Sequence, residues 1–269
     1  MVYGEHMDNI YTMGMDIGST ASKCIILING TEIASSAVIS AGTGTSGPKR
    51  AQEEALLKAG ISLDEICWKT ATGYGRNTFV EADDTVSELS CHAIGIHSVF
   101  PEVRTLIDIG GQDAKVIHVT EKGRLDNFVM NDKCAAGTGR FLEVMARILE
   151  LDVSELAEKG AQAKNKVNIS STCTVFAESE VISQLAANVD ICDLVDGIHR
   201  SVAVRTSALA KRLGIIKPVA MSGGVAFNFG VVKALEQEIG TEIMVSPMAQ
   251  LNGAYGAAQH AWEKYTEEV

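Results

Sequence analysis

With 269 residues, 46% of them apolar and 21% charged, the chain has enough core for one large domain or two lobes. Its formal charge of −11 argues against non-specific nucleic-acid binding, which needs a basic face, and no segment approaches the roughly 20 uninterrupted apolar residues of a membrane-spanning helix. The opening residues lack a basic stretch followed by an apolar core, so no secretory signal is expected; six scattered cysteines suit reduced thiols, which makes the cytoplasm the expected compartment.

Strands are predicted at 11–17 and 22–27, and Asn29-Gly30 is a tight-turn signal leading into a third at 32–35. Pro48 suits the first turn of a helix that passes Glu53, Leu56 and Leu57 and stops at Gly60. A short strand at 68–71 and a helix at 88–99, ended by Pro101, complete the first half. The pattern then restarts with a strand at 105–109 and a hairpin through 115–119 and 124–130. Phe141, Val144, Met145, Ile148 and Leu149 recur at helical spacing. A strand at 167–169, helices at 174–187 and 193–212, strands at 219–221 and 242–245, and a final helix at 253–265 follow. The fold class is α/β, with two similar halves dividing near Arg104.

The glycine turns carry the first chemistry. Met15-Asp16-Ile17-Gly18-Ser19-Thr20 puts an acid at the end of a strand, ahead of a small turn with two hydroxyls. Leu106-Ile107-Asp108-Ile109-Gly110-Gly111-Gln112-Asp113 repeats that plan. Glycines let backbone N–H groups approach phosphate oxygens, and an aspartate at a strand end can hold hydrated Mg²⁺ or orient an attacking water. A third turn, Met221-Ser222-Gly223-Gly224-Val225-Ala226-Phe227-Asn228, follows a strand and opens a helix. Neither a Walker-type loop nor a Gly-x-Gly-x-x-Gly run occurs, which disfavours P-loop and dinucleotide folds.

Two cysteines carry the second chemistry. Cys134 and Cys173 each stand a residue or two ahead of an expected helix, where exposed N–H groups and the dipole favour a thiolate that binds iron or zinc. Two thiolates do not complete a four-thiolate site, whereas two copies of the chain related by a twofold axis do. On the residues alone, two ordinary buried thiols or a twofold four-cysteine zinc site fit the same pattern. Cys24, Cys67, Cys91 and Cys192 read as packing residues.

The turns resemble those of the actin-like ATPase superfamily of sugar kinases, heat-shock chaperones and actin. With the runs at 16–23, 71–76, 88–93, 108–113, 130–141 and 170–180, the chain from Tyr11 onward resembles the ATPase activators of 2-hydroxyacyl-CoA dehydratases. The benzoyl-CoA reductase ATPase subunits are broader relatives. The resemblance implies two duplicated ribonuclease-H-like lobes with a nucleotide cleft between them, at 10–104 and 105–269. The second carries the cluster cysteines, and the last helix is a candidate to cross back to the first.

The resemblance further implies a homodimer that holds one 4Fe–4S cluster per dimer, with Cys134 and Cys173 as each chain's ligands. ATP and Mg²⁺ would be bound by a nucleotide site comprising Gly18, Ser19, Thr20, Ala21, Ser22, Lys23, Gly110, Gly111, Gly223, Gly224, Gln250 and Gly253, with Asp16, Asp108 and Gln112 in catalytic roles. Reduced ferredoxin or flavodoxin would supply an electron, which passes to a separate 2-hydroxyacyl-CoA dehydratase component, the 2-hydroxyglutaryl-CoA type being nearest. A small-molecule kinase and a redox-silent regulatory ATPase of the same fold are the competing readings; the chain is short for a kinase's acceptor pocket.

Overall fold

The computed structural model describes residues 9–170 and 173–269. Residues 1–8, with the expectation that they hold no secretory signal, and the Ser171-Thr172 pair of the second cysteine segment lie outside the described residues. In chain order the first elements are β1 (Tyr11–Ile17), β2 (Ser22–Ile28), β3 (Glu32–Ile39), α1 (Gly47–Ala59), β4 (Ile66–Thr72), β5 (Asp84–Thr85) and α2 (Glu88–Val99). Then come β6 (Thr105–Ile109), β7 (Ala114–Val119), β8 (Leu125–Asn131), α3 (Gly139–Ile148), α4 (Leu156–Gly160), α5 (Thr174–Ala186) and α6 (Ile191–Leu213). The chain closes with β9 (Val219–Ser222), α7 (Phe229–Ile239), β10 (Ile243–Val245) and α8 (Asn252–Glu268).

Two sheets share one plan. The first runs β3-β2-β1-β4-β5, with β1, β2 and β3 antiparallel and β4 and β5 added in parallel. The second runs β10-β9-β6-β7-β8, where β6, β7 and β8 form the antiparallel meander and β9 and β10 the parallel part. Read from the meander's last strand, both have the same order and the same strand directions.

The chain divides into two compact units. One comprises the described residues up to Ser98 together with Leu251–Val269; the other is Val99–Gln250. In the first, Asn29 (φ 50) and Gly30 (φ 70) make the left-handed turn that joins β2 to β3. Met13, Met15, Ile17, Cys24 and Ile26 fill its core under α1, whose end is set by Gly60 at φ 71. Helix α8 lies directly on β1: a Cβ at Gly14 would overlap the Ala254 carbonyl and the Ala258 amide, and Thr12 Oγ1 donates to the Ala258 carbonyl at 3.3 Å. In the second unit Ile107, Ile109, Val116, Phe141, Met145, Leu194, Ile198 and Met221 form the core under α3, α6 and α7. Each such side chain contributes about 1.5–3 kcal/mol by leaving water.

One expected strand is absent. Residues 167–169 run as irregular chain, with Ile169 buried and the Val167 carbonyl accepting from Arg200 Nη2 at 2.6 Å. That carbonyl packs on Gly197 of α6, and the Asn168 carbonyl accepts from Gln184 of α5 at 3.3 Å, so helix side chains rather than a sheet neighbour meet these carbonyls. No helix among the described residues is long and apolar enough to cross a membrane.

Candidate functional site

The β1–β2 turn is held by the Gly18 amide donating to the Ala21 carbonyl at 2.9 Å, and the β6–β7 turn by the Gly110 amide donating to the Asp113 carbonyl at 2.9 Å. In each, the strand-end aspartate faces a lysine seven positions later across the antiparallel register. Lys23 Nζ lies 2.9 Å from Asp16 Oδ2, and Lys115 Nζ lies 3.4 Å from Asp108 Oδ2. The duplication therefore extends to an acid–base pair, part-buried in the first copy and buried in the second.

The two copies differ around the acid. Asp16 is 3% exposed, and its Oδ1 has no hydrogen-bond partner. Gly73, at φ +85, sits over that oxygen: a Cβ there would come 2.6 Å from Oδ1. A Cβ at Gly253, in the first turn of α8, would stand 3.1 Å from both Asp16 Oδ2 and His92 Nε2. Asn252 anchors that helix start by donating from Nδ2 to the His92 carbonyl at 3.0 Å. The positive end of α8 thus faces the Asp16 carboxylate. Ser19 and Thr20 are exposed at the turn's tip. Ser22, although in the predicted set, turns inward: its hydroxyl is buried and donates to the Ala41 carbonyl at 2.8 Å.

Asp108 has both oxygens engaged, since Ser222 Oγ donates to Oδ1 at 2.6 Å. Lys115, 2% exposed, also reaches Asp113 Oδ2 at 2.8 Å, so two carboxylates surround one buried ammonium. Gln112 is exposed at the tip. Gly223, at φ +86, packs against Ile109 so closely that any Cβ would overlap its carbonyl, and its amide donates to the Ala249 carbonyl at 2.9 Å. Gln250 Nε2 lies beside Gly224. Asp108, Gly110, Gly111, Gly223, Gly224 and Gln250 belong to one unit, and Asp16, Gly18, Lys23 and Gly253 to the other. Gln250 and Gly253 are near neighbours in sequence, yet the division falls between them.

Cys134 lies in an exposed loop well ahead of α3, not a residue or two before a helix as expected, because 135–138 form a turn of their own. Thr138 Oγ1 donates to the Ala135 carbonyl at 2.6 Å, Asn131 Nδ2 donates to the Cys134 carbonyl at 2.9 Å, and Gly137 adopts φ +84. The first amides of α3 are spent on the β6–β7 turn: Gly139 N–H donates to the Gly110 carbonyl at 2.9 Å and Arg140 N–H to the Gly111 carbonyl at 2.8 Å. Cys173 is the N-cap residue of α5 and is exposed. Both thiols are free, and no group of three or more metal-ligating side chains occurs among the described residues. In contrast, Cys24 and Cys91 are buried; burial pushes the Cys91 thiol up to about 12, against a weaker pull from Thr72, and Cys24 higher still.

The chain as a whole is matched by known proteins. The model of the BadF/BadG/BcrA/BcrD ATPase family fits residues 13–261. The chain belongs to that family. It is 59% identical over 257 residues to the (R)-2-hydroxyglutaryl-CoA dehydratase activating ATPase of Acidaminococcus fermentans, spanning 95% of this chain and 98% of that one. It is 57% identical over 258 residues to the 2-hydroxyisocaproyl-CoA dehydratase activator of Clostridioides difficile, spanning 96% and 97%. The structure of the Clostridium difficile activator with bound ADPNP superposes with a TM-score of 0.94 at 57% identity, over 96% of this chain and 97% of that one. A ROK family glucokinase from Streptomyces griseus, at 14% identity and TM-score 0.59 over 94% and 99% of the two chains, shares the fold alone. As a BadF/BadG/BcrA/BcrD family member the chain is an ATPase with the two-lobed actin-like fold, one five-stranded sheet to each lobe.

Lys115, Ser222, His92 and Gly73 were missed in the sequence. Ser222, Gly73 and His92 lie in runs the sequence singled out at 221–228, 71–76 and 88–93, and Lys115 follows Asp108 at the spacing that separates Lys23 from Asp16.

Proposed function

We propose that this ATPase activates a 2-hydroxyacyl-CoA dehydratase by ATP-driven one-electron transfer, with a 4Fe–4S cluster shared by two copies of the chain. The 2-hydroxyglutaryl-CoA type is the partner favoured by the 59% identity to the Acidaminococcus fermentans protein, and reduced ferredoxin or flavodoxin the donor. One observation carries the reading: the amides that open α3, beside the Cys134 loop, are bonded to the carbonyls of Gly110 and Gly111 in the β6–β7 turn. A change in that turn on ATP hydrolysis would therefore be transmitted to a thiolate through two short hydrogen bonds.

The residues fit the groups the reading requires. Exposed Cys134 and Cys173 are soft donors free of any disulfide, and two from each chain would make up a four-thiolate set. When bound, that cluster supplies one-electron redox chemistry. Asp16 offers a buried carboxylate oxygen without a partner, which suits hydrated Mg²⁺ or an attacking water. Lys23, exposed Ser19 and Thr20, and the Ala21 amide would meet phosphate oxygens, with Gly18 letting the backbone approach them. Gly110, Gly111, Gly223, Gly224, Gln250 and Gly253 would allow the nucleotide close to the backbone, and exposed Gln112 would orient water. Asp108, held by Ser222 and Lys115, would fix the second turn.

Strictly anaerobic purification decides the matter. About four irons and four sulfides per two chains are expected, lost in Cys134→Ser and Cys173→Ser, together with ATP-dependent reduction of a purified dehydratase component. Zinc in place of iron, or serine variants that keep both metal and activating capacity, would overturn the reading.

A further inference from the structure

We infer that Arg205 is the fixed cation that stabilises the reduced form of the metal group held by Cys134 and Cys173. The inference rests on the reading that these thiolates hold an iron–sulfur cluster. Arg205 stands on α6, far along the chain from either cysteine, and with Cys134 it lines a cavity of about 530 Å³ that Asn131, Gly137 and Arg212 also border. In a chain of net charge −11, a cavity with two arginines beside an exposed thiol is a local reversal of sign.

The guanidinium is built in. Nη1 donates to the buried Ser201 hydroxyl at 2.7 Å, and the guanidinium carbon stands 5.2 Å from the centre of the fully buried Phe141 ring of α3. Its stem packs under the Gly137 turn, where a Cβ would lie 3.3 Å from Arg205 Cβ. Burial pulls the guanidinium down from its ordinary value, while the shared cavity wall sets it beside the Cys134 loop. It stays charged throughout.

Reduction adds one electron and makes or breaks no bond, so the site becomes one charge more negative. A half-buried cation, poorly screened by salt, favours that state, and charge beside the sulfurs is a recognised lever on cluster potential. The same charge offsets repulsion among thiolates gathered at one group.

The test is the midpoint potential of the anaerobic cluster-loaded protein, followed by EPR, with iron content measured alongside. Arg205→Gln should keep its iron and shift the reduction equilibrium at least tenfold toward the oxidised form, about 59 mV for a one-electron couple. Arg205→Lys should recover at least half of that shift. An Arg205→Gln potential within threefold of wild type overturns the inference, as does Arg205→Lys displaced as far as Arg205→Gln with iron intact, which would indicate packing rather than charge. If Arg205→Gln fails to fold or to hold iron, Arg205→Lys decides: a potential within threefold of wild type supports the role, and a larger displacement or loss of iron overturns it. Wild-type protein without iron and sulfide removes the cluster reading and this inference with it, and is seen before any variant is made.

Discussion

Asp16 and Asp108 occupy equivalent positions and have different oxygens to spare. Asp16 spends Oδ2 on Lys23 and leaves Oδ1 buried without a partner, whereas Asp108 is held at both oxygens by Ser222 and Lys115. A buried acceptor left unpaired costs about 1–3 kcal/mol, a cost that a metal-bound or attacking water would remove. Asp16→Asn should therefore lower kcat for ATP hydrolysis by about 10²–10³-fold with Tm changed by less than about 3 °C. Asp108→Asn should lower Tm as well, because Lys115 is 2% exposed and would lose one of the two carboxylates that surround its ammonium. The stability loss should be about 2–4 kcal/mol. Phosphate release and thermal scans measure both; an Asp16→Asn protein that hydrolyses ATP at the wild-type rate removes Asp16 from the chemistry.

At the scale of elements, small residues decide which helix seats on which strand. Helix α8 closes on β1 at Gly14 and on α2 through Gly95 and Gly256, where a Cβ on either would overlap the facing backbone. Because the obstruction is backbone rather than a flexible side-chain end, relief requires the helix to move. Gly14→Ala should cost about 3 kcal/mol, a fall in Tm of about 6–12 °C for a chain of this length, with earlier proteolytic release of the C-terminal segment. A Gly14→Ala protein with wild-type Tm and protease resistance would contradict the seating of α8. The same logic makes Gly253, the residue of α8 that approaches Asp16, intolerant of a side chain.

Across a whole unit, His199 ties three helices together and makes stability depend on pH. Its ring on α6 fills the spaces left by Gly160 of α4 and Gly230 of α7, and Asn228 Nδ2 lies 3.2 Å from Nε2. Burial lowers its pKa from 6.5 to about 4, with Asp196 opposing weakly. Between those values the unfolded chain binds a proton that the folded one refuses, so this contribution is complete above pH 6.5 and is lost as pH falls toward 4. At about 1.4 kcal/mol per pH unit the loss approaches 3 kcal/mol. The stability advantage of wild type over His199→Gln, measured by urea unfolding, should shrink by that amount on acidification from pH 7 to pH 4; an advantage independent of pH would refute the account.

Local patterns in the sequence determined most strands, most helix limits, the two Asp-Ile-Gly turns and the two cysteine segments. They did so because side-chain period, Asn-Gly and Gly caps act over a few residues: the 11–17, 88–99 and 105–109 predictions coincide with β1, α2 and β6. Other features appeared only with the tertiary structure. Residues 167–169 have strand-like composition, yet α6 offered their backbone a better partner. Ser22 reads as a turn hydroxyl until the Ala41 carbonyl claims it. The division between Gln250 and Gly253, the loads on Asp16 and Asp108, and the meeting of Arg205 with the cysteine loop all depend on residues far apart in the chain. Which distant group satisfies a buried polar atom is decided by packing, and packing is set by the whole chain at once.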